Sequence, residues 1–162
     1  MKNTAFLFVL FLSINIFSQS PWTKKKSEGY LQLSFTTIPS YDELFGENTQ
    51  KLLREVSDNT LQLYGELGLT DNTTFFTSIP LKMVGTGDNT LTSQNIFPES
   101  KKTALGNIQF GVKHNFYQKN DWVLSGQLGV EANTSSYDLR SGLRTGYDSW
   151  SFTPLFLAGK SL

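Results

Sequence analysis

NTLQLYGELGLTDNTTFFTSIPLKMV, residues 59–84, decides how the chain folds. The stretch reads as two strands joined by a short turn at residues 70–73. In the first strand Leu61, Leu63, Leu67 and Leu69 share one parity, while Thr60, Gln62, Tyr64, Glu66 and Gly68 share the other. In the second, Phe75, Thr77, Ile79, Leu81 and Met83 alternate with Thr74, Phe76, Ser78, Pro80 and Lys82. Successive strand side chains point to opposite faces, so each strand has one mostly apolar and one mostly polar face. Each strand is long enough to cross a bilayer, which takes about nine to eleven residues when tilted. A soluble two-sheet protein shows the same alternation. The rest of the chain has to say which solvent the apolar face meets.

Composition narrows the choice. The chain has 162 residues, no Cys, one His, and 14 basic against 14 acidic residues. That length suits one domain. A neutral balance leaves no footprint for nucleic acid, which needs a concentrated positive field. Without Cys there is no disulfide scaffold, thiolate zinc site, thiol nucleophile or lipid-modified cysteine. Charged residues make up only 17% of the chain, low beside the roughly 25% of soluble proteins.

Residues 1–20 read as a signal peptide. Lys2 supplies the positive start, residues 4–17 (TAFLFVLFLSINIF) the short apolar run, and Ser18, Gln19 and Ser20 the small residues near a cleavage point. Cleavage is expected near residues 18–20, at a bond left open because Pro21 disfavours the one directly after Ser20. No later apolar run is long enough for a spanning helix, so a mature membrane protein would have to enter as strands.

Residues 21–28 carry Lys24, Lys25 and Lys26 and read as a solvated leader. A first strand follows at residues 29–38, with Leu31, Leu33 and Phe35 on its apolar face. Residues 39–58 read as a long polar connection, in which KLLREV (residues 51–56) suits a short helical turn. After the opening hairpin comes a second long loop at residues 85–104. Its GTGD lacks the lysine and following helix of a phosphate loop. Residues 105–117 and 122–133 form the fourth and fifth strands, joined by a short turn at 118–121. A third long loop at residues 134–148 leads to a sixth strand at residues 149–159. Pro80 and Pro154 fall inside strands, where proline marks a bulge, a strand end or an edge.

The connections thus alternate long, short, long, short, long. The expected fold is all-β, an antiparallel up-and-down meander of about six strands forming part of a transmembrane β-barrel, with short periplasmic turns and longer outer loops. Residues 29–162 make up that partial barrel. Phe75, Phe116 and Trp122 would flank the periplasmic turns as an aromatic girdle, and Trp150 would sit near the outer interface. SIPLK (78–82), LGNIQFGVKHNF (105–116) and SGLRTGYDSWSFTP (141–154) resemble the phrasing of outer-membrane barrels of the porin or transporter type. The leader ending in FSQS resembles exported proteins of Bacteroidetes-type bacteria. The resemblance implies passage of a small solute, contact with outer-membrane lipid and delivery by the barrel-assembly machinery. Six strands fall short of the eight with which single-chain barrels begin, so an incomplete chain or an oligomer is expected.

The inward parity carries Glu66, Lys82, Lys113 and Glu131, one on each of the four middle strands. With Gln62 and Gln127 they would line the lumen, either selecting a solute or pairing across strands to fill a narrow barrel. If Glu66 and Lys113 pair, a charge-reversed double variant should restore assembly. His114 faces the apolar side and Ser125 the other, so the two cannot form a nucleophile–base pair. No catalytic residue, cofactor or metal site is expected. The leading reading is a non-enzymatic outer-membrane barrel. The alternatives are a secreted or periplasmic soluble β-sandwich or barrel that binds a ligand or partner, and a barrel lipid-modifying enzyme.

Overall fold

The computed structural model describes residues 20–44, 50–89 and 99–161. Of the expected signal peptide only Ser20 falls within them. Among the described residues seven strands make one sheet: β1 (Gly29–Leu44), β2 (Gln50–Thr70), β3 (Thr73–Asn89), β4 (Ser100–Leu105), β5 (Ile108–Lys119), β6 (Trp122–Ala132) and β7 (Ser151–Lys160). The order is β1-β2-β3-β5-β6-β7, with β4 also on β3, and every pairing is antiparallel. The meander curls into a half-barrel with β1 and β7 at its two edges.

Both short turns stand where the alternation breaks. Asp71–Asn72 joins β2 to β3. Asn120 and Asp121, with φ of 50° and 66°, join β5 to β6. Two successive left-handed residues make the two-residue hairpin turn whose twist matches that of its strands, and Asn and Asp tolerate that conformation best.

The expected long connections are much shorter, because the strands continue beyond the alternating stretches. Residues 39–44 extend β1, and residues 50–58 extend β2. KLLREV is therefore strand, and no helical turn forms there. Adjacent Leu52 and Leu53 fit either period; pairing across to β1 and β3 decides for the sheet. Pro39 is accommodated by register shifts between Ile38 and Glu43, the local bulging that a missing ladder donor requires. Likewise β3 runs on to Asn89, and residues 100–105 of the expected loop form β4. With 21 residues, β2 is about twice the length needed to cross a bilayer.

β4 and β5 follow one line along β3 and are interrupted at Gly106 and Asn107. Pro80 explains the interruption. Its carbonyl accepts from Gly106 N–H at 2.8 Å. A strand residue's N–H and C=O point to the same side, so the missing donor of Pro80 also faces the break. Pro80 is thus a mid-strand irregularity rather than a strand end. Pro154 lies on edge strand β7, opposite Leu128.

The burial pattern is inverted relative to a water-soluble sheet. Outward residues are large, apolar and exposed: Leu31 is 73% accessible, and Phe35, Phe152 and Phe156 are also open. On the concave face the buried residues are largely polar, among them Thr74, Ser78, Lys113, Asn115 and Ser125, with Phe76 and Val123 beside them.

Candidate functional site

The concave face of β1–β3, β5 and β6 encloses a cavity of about 380 Å³, lined by Gln32, Gln62, Tyr64, Glu66, Gln109, Lys113 and Gln127, with Phe76 as its aromatic member. Period-two alternation puts these side chains there. Gln62, Tyr64 and Glu66 come from one face of β2, Gln109 and Lys113 from β5, and Gln127 from β6. Phe76 reaches over Gly111, where a Cβ would lie 2.6 Å from its ring, so the missing side chain leaves the room it needs. At the centre, Lys113 Nζ lies 3.9 Å from Glu66 Oε1 and donates to the Ser20 carbonyl at 3.0 Å. The Tyr64 hydroxyl donates to Glu66 Oε1 at 2.7 Å, and Gln62 Nε2 to Ser78 Oγ at 2.6 Å. The cavity therefore offers amides, a hydroxyl and one ion pair, which together can hydrogen-bond a small polar solute.

Of the six residues expected to line the lumen, Gln62, Glu66, Lys113 and Gln127 meet in this cavity. Lys82 and Glu131 line a second one of about 340 Å³, nearer the end opposite the two tight turns, with Asn107, Arg144 and Tyr147. Lys82 is bound to Asp58 at 2.6 Å, and Ser151 Oγ donates to Glu131 Oε2 at 3.4 Å. Asp58 could not be anticipated as a partner while residues 39–58 read as a loop. Once β2 includes it, Asp58 stands two residues along from the one facing Lys82, on the same face, within cross-strand reach.

The end of the sheet opposite the two tight turns is crossed by residues 133–150. Asp138 and Leu143 pair through Asp138 N–H and Leu143 C=O at 2.9 Å. Arg54 of β2 reaches the Ser141 carbonyl at 2.9 Å, and Thr145 Oγ1 donates to the Leu105 carbonyl at 2.7 Å. The loop thereby ties β6 and β7 to the far side of the sheet. Hydrogen bonds from Arg140 N–H and then from the Ser141 hydroxyl hold the Asp138 carboxyl below its ordinary range.

Of the four residues expected as an aromatic girdle, Phe75, Phe116 and Trp122 lie on the outward parity of their strands, and Trp150 stands just before β7. Phe116 packs on Phe156 with ring centroids 5.2 Å apart. Trp122 carries Lys160 Nζ at 5.9 Å from its ring centre. Trp150 is exposed and Phe75 half-buried. His114 Nδ1 meets Thr73 Oγ1 at 2.9 Å on that outward face, whereas Ser125 is buried on the inner one, so the structure does not bring them together. Among the described residues no three His, Asp or Glu side chains gather to hold a metal ion.

The expected solvated leader is corrected in part: residues 20–24 lie against the concave face, whereas Lys25, Lys26, Ser27 and Glu28 are exposed as expected. Pro21 is buried, its carbonyl accepts from Ser125 Oγ, and Thr74 Oγ1 accepts from Lys24 N–H at 2.7 Å. These bonds run between backbone and side chain, a kind that leaves no trace in hydropathy or charge pattern.

A protein family described as "Putative MetA-pathway of phenol degradation" matches residues 45–158. It is an outer-membrane-associated family, and the curled antiparallel sheet fits a β-barrel-like protein. No curated protein matches the chain.

Proposed function

The chain belongs to that family, and from this premise we propose that it is an outer-membrane β-barrel protein that passes a small polar solute through its lumen. The observation that carries the reading is the inverted burial. Leucine and phenylalanine side chains stand exposed on the convex face, while lysine, glutamate, serine and glutamines are sheltered on the concave one. A soluble sheet would expose its polar face and lose free energy for every apolar side chain left in water, about 1.5–3 kcal/mol each. In lipid the same arrangement is favourable, and a polar interior is what a solute path requires.

The family's description names a phenol-degradation pathway. The amide, hydroxyl and charged groups of this lumen suit a hydrogen-bonding solute better than a purely apolar one. Strand edges within lipid must be paired, so β1 and β7 are assigned to pairing with further strands in the assembled barrel.

The test is expression of the chain in a Gram-negative host, membrane fractionation, and gel mobility with and without heating. Recovery in the outer membrane with a heat-dependent mobility shift is expected, together with swelling of protein-loaded liposomes in small polar solutes. Recovery in the soluble periplasm would overturn the reading.

A further inference from the structure

We propose that residues 20–28 are a built-in plug that closes the turn end of the lumen from inside. Only its consequence for passage rests on the function proposed above; the plug itself is argued from contacts. The segment spans the concave face from one side to the other. At the β2 side Gly68 donates to the Glu28 carbonyl at 2.8 Å and accepts from Ser27 N–H at 2.9 Å. The segment then turns on itself through Glu28 N–H to the Lys25 carbonyl at 2.9 Å. Next to it, Asp71 in the β2–β3 turn accepts from Lys26 N–H at 3.1 Å and, through its carbonyl, from Thr23 Oγ1 at 3.2 Å. It crosses β3 at Thr74, β6 at Ser125 and β5 at Lys113, and its Pro21 and Trp22 rings reach Gly159 of β7.

Two features separate this from a casual contact. First, Thr74 and Ser125 are wholly inaccessible, and Lys113 is nearly so. Hydroxyls and an ammonium lining an open aqueous lumen would be wet; here their partners are main-chain atoms of the segment. A stretch without secondary structure of its own has its polar groups satisfied by the wall it covers, which buried backbone requires. Second, the wall is shaped to receive it. A Cβ at Gly68 would lie 1.9 Å from the Lys25 carbonyl oxygen, and one at Gly159 would lie 2.6 Å from the Pro21 ring. Side chains at either position would lift the segment off. Ser20 also lines the central cavity, so the start of the segment forms part of its wall.

The chain has no cysteine, so single thiols can be placed cleanly. Ser125→Cys in the full chain, folded in lipid, should react slowly with a water-soluble maleimide. Adding Gly68→Val should raise the rate by about tenfold or more, because local opening then exposes the site. Equal rates in the two proteins would overturn the plug. Should Gly68→Val fail to fold, Gly159→Val serves instead, because a Cβ there would lie 2.6 Å from the Pro21 ring; a labelling rate equal to that of Ser125→Cys alone would overturn the proposal. Conductance is a separate readout: it should rise in the variant that displaces the segment. If the labelling contrast is present and no variant conducts, the plug stands and the passage reading fails.

Discussion

Replacing Glu66 by Gln should cost about 3 kcal/mol, and the figure follows from the surroundings of Lys113. Unit charges about 4 Å apart attract with about 4 kcal/mol at the effective dielectric of a partly buried site. Removing one partner of a buried pair typically costs about 3–5 kcal/mol. The pair is separated by 3.9 Å and both side chains are sheltered. The lower figure applies because Gln still accepts the Tyr64 hydroxyl and the Ser20 carbonyl still accepts from Lys113. Lys113→Met alone should cost a similar amount. The double variant Glu66→Gln/Lys113→Met should cost less than the sum by about 2 kcal/mol, the signature of direct coupling. Full charge reversal is a sharper case. The pairing of Glu66 with Lys113 suggests recovery, but the fixed Ser20 carbonyl would face a carboxylate at position 113. Reversal should therefore recover only part of the loss, and the remainder should vanish when the plug is displaced by Gly68→Val. The assay is urea titration of the lipid-folded protein, read as the folded band on unheated gels. A coupling within about 0.5 kcal/mol of zero, the usual additivity error, would refute the argument.

Three further outcomes follow from other parts of the molecule. Asn120→Val should destabilise by about 1–2 kcal/mol, because a β-branched residue is forced to a left-handed conformation, whereas Asn120→Gly should be nearly neutral; urea midpoints of the two report this. Leu63→Arg, on the outward face of β2, should cost about 2–4 kcal/mol if it lies near the bilayer midplane, while Gln32→Arg on the lumen side should fold with little loss, measured in the same titration. Acidification should loosen the outer loop. Its Asp138 carboxyl is held below its ordinary range by Arg140 N–H and Ser141, so its contribution is complete above the unfolded pKa and is lost as pH falls through the lowered folded value. Hydrogen exchange at the Arg140 and Gly142 amides should accelerate there, and Asp138→Asn should remove the pH dependence.

The sheet and its two tight turns were legible because alternation is a direct record of which side chain faces which solvent. Gln62, Glu66, Lys113 and Gln127 were legible for the same reason, since parity alone puts them on one face. Legibility stopped where that record stops. Beyond residues 59 and 84 the alternation lapses: Leu52 and Leu53 are adjacent and fit either period, and residues 85–89 are Gly-rich and polar, so both extensions read as loop. Asp58 was lost with them, and with it the partner of Lys82. In the leader at residues 21–28 the lysine run correctly marked Lys25 and Lys26 as exposed, but it gave no sign that Pro21 and Lys24 are held on the inner face through their backbone. Nor could the break at Gly106 be placed from sequence; it depends on Pro80 standing opposite, across a gap of 26 residues.

The central claim is that the leucine face of the sheet meets lipid and the glutamine–glutamate face does not. Single cysteines at residues 60–63, 66 and 67, each carrying an environment-sensitive fluorophore, test it most directly in vesicles containing brominated lipid. Quenching strong at Leu61, Leu63 and Leu67 and weak at Thr60, Gln62 and Glu66 is the predicted result. Uniform quenching, or the opposite alternation, would contradict the account.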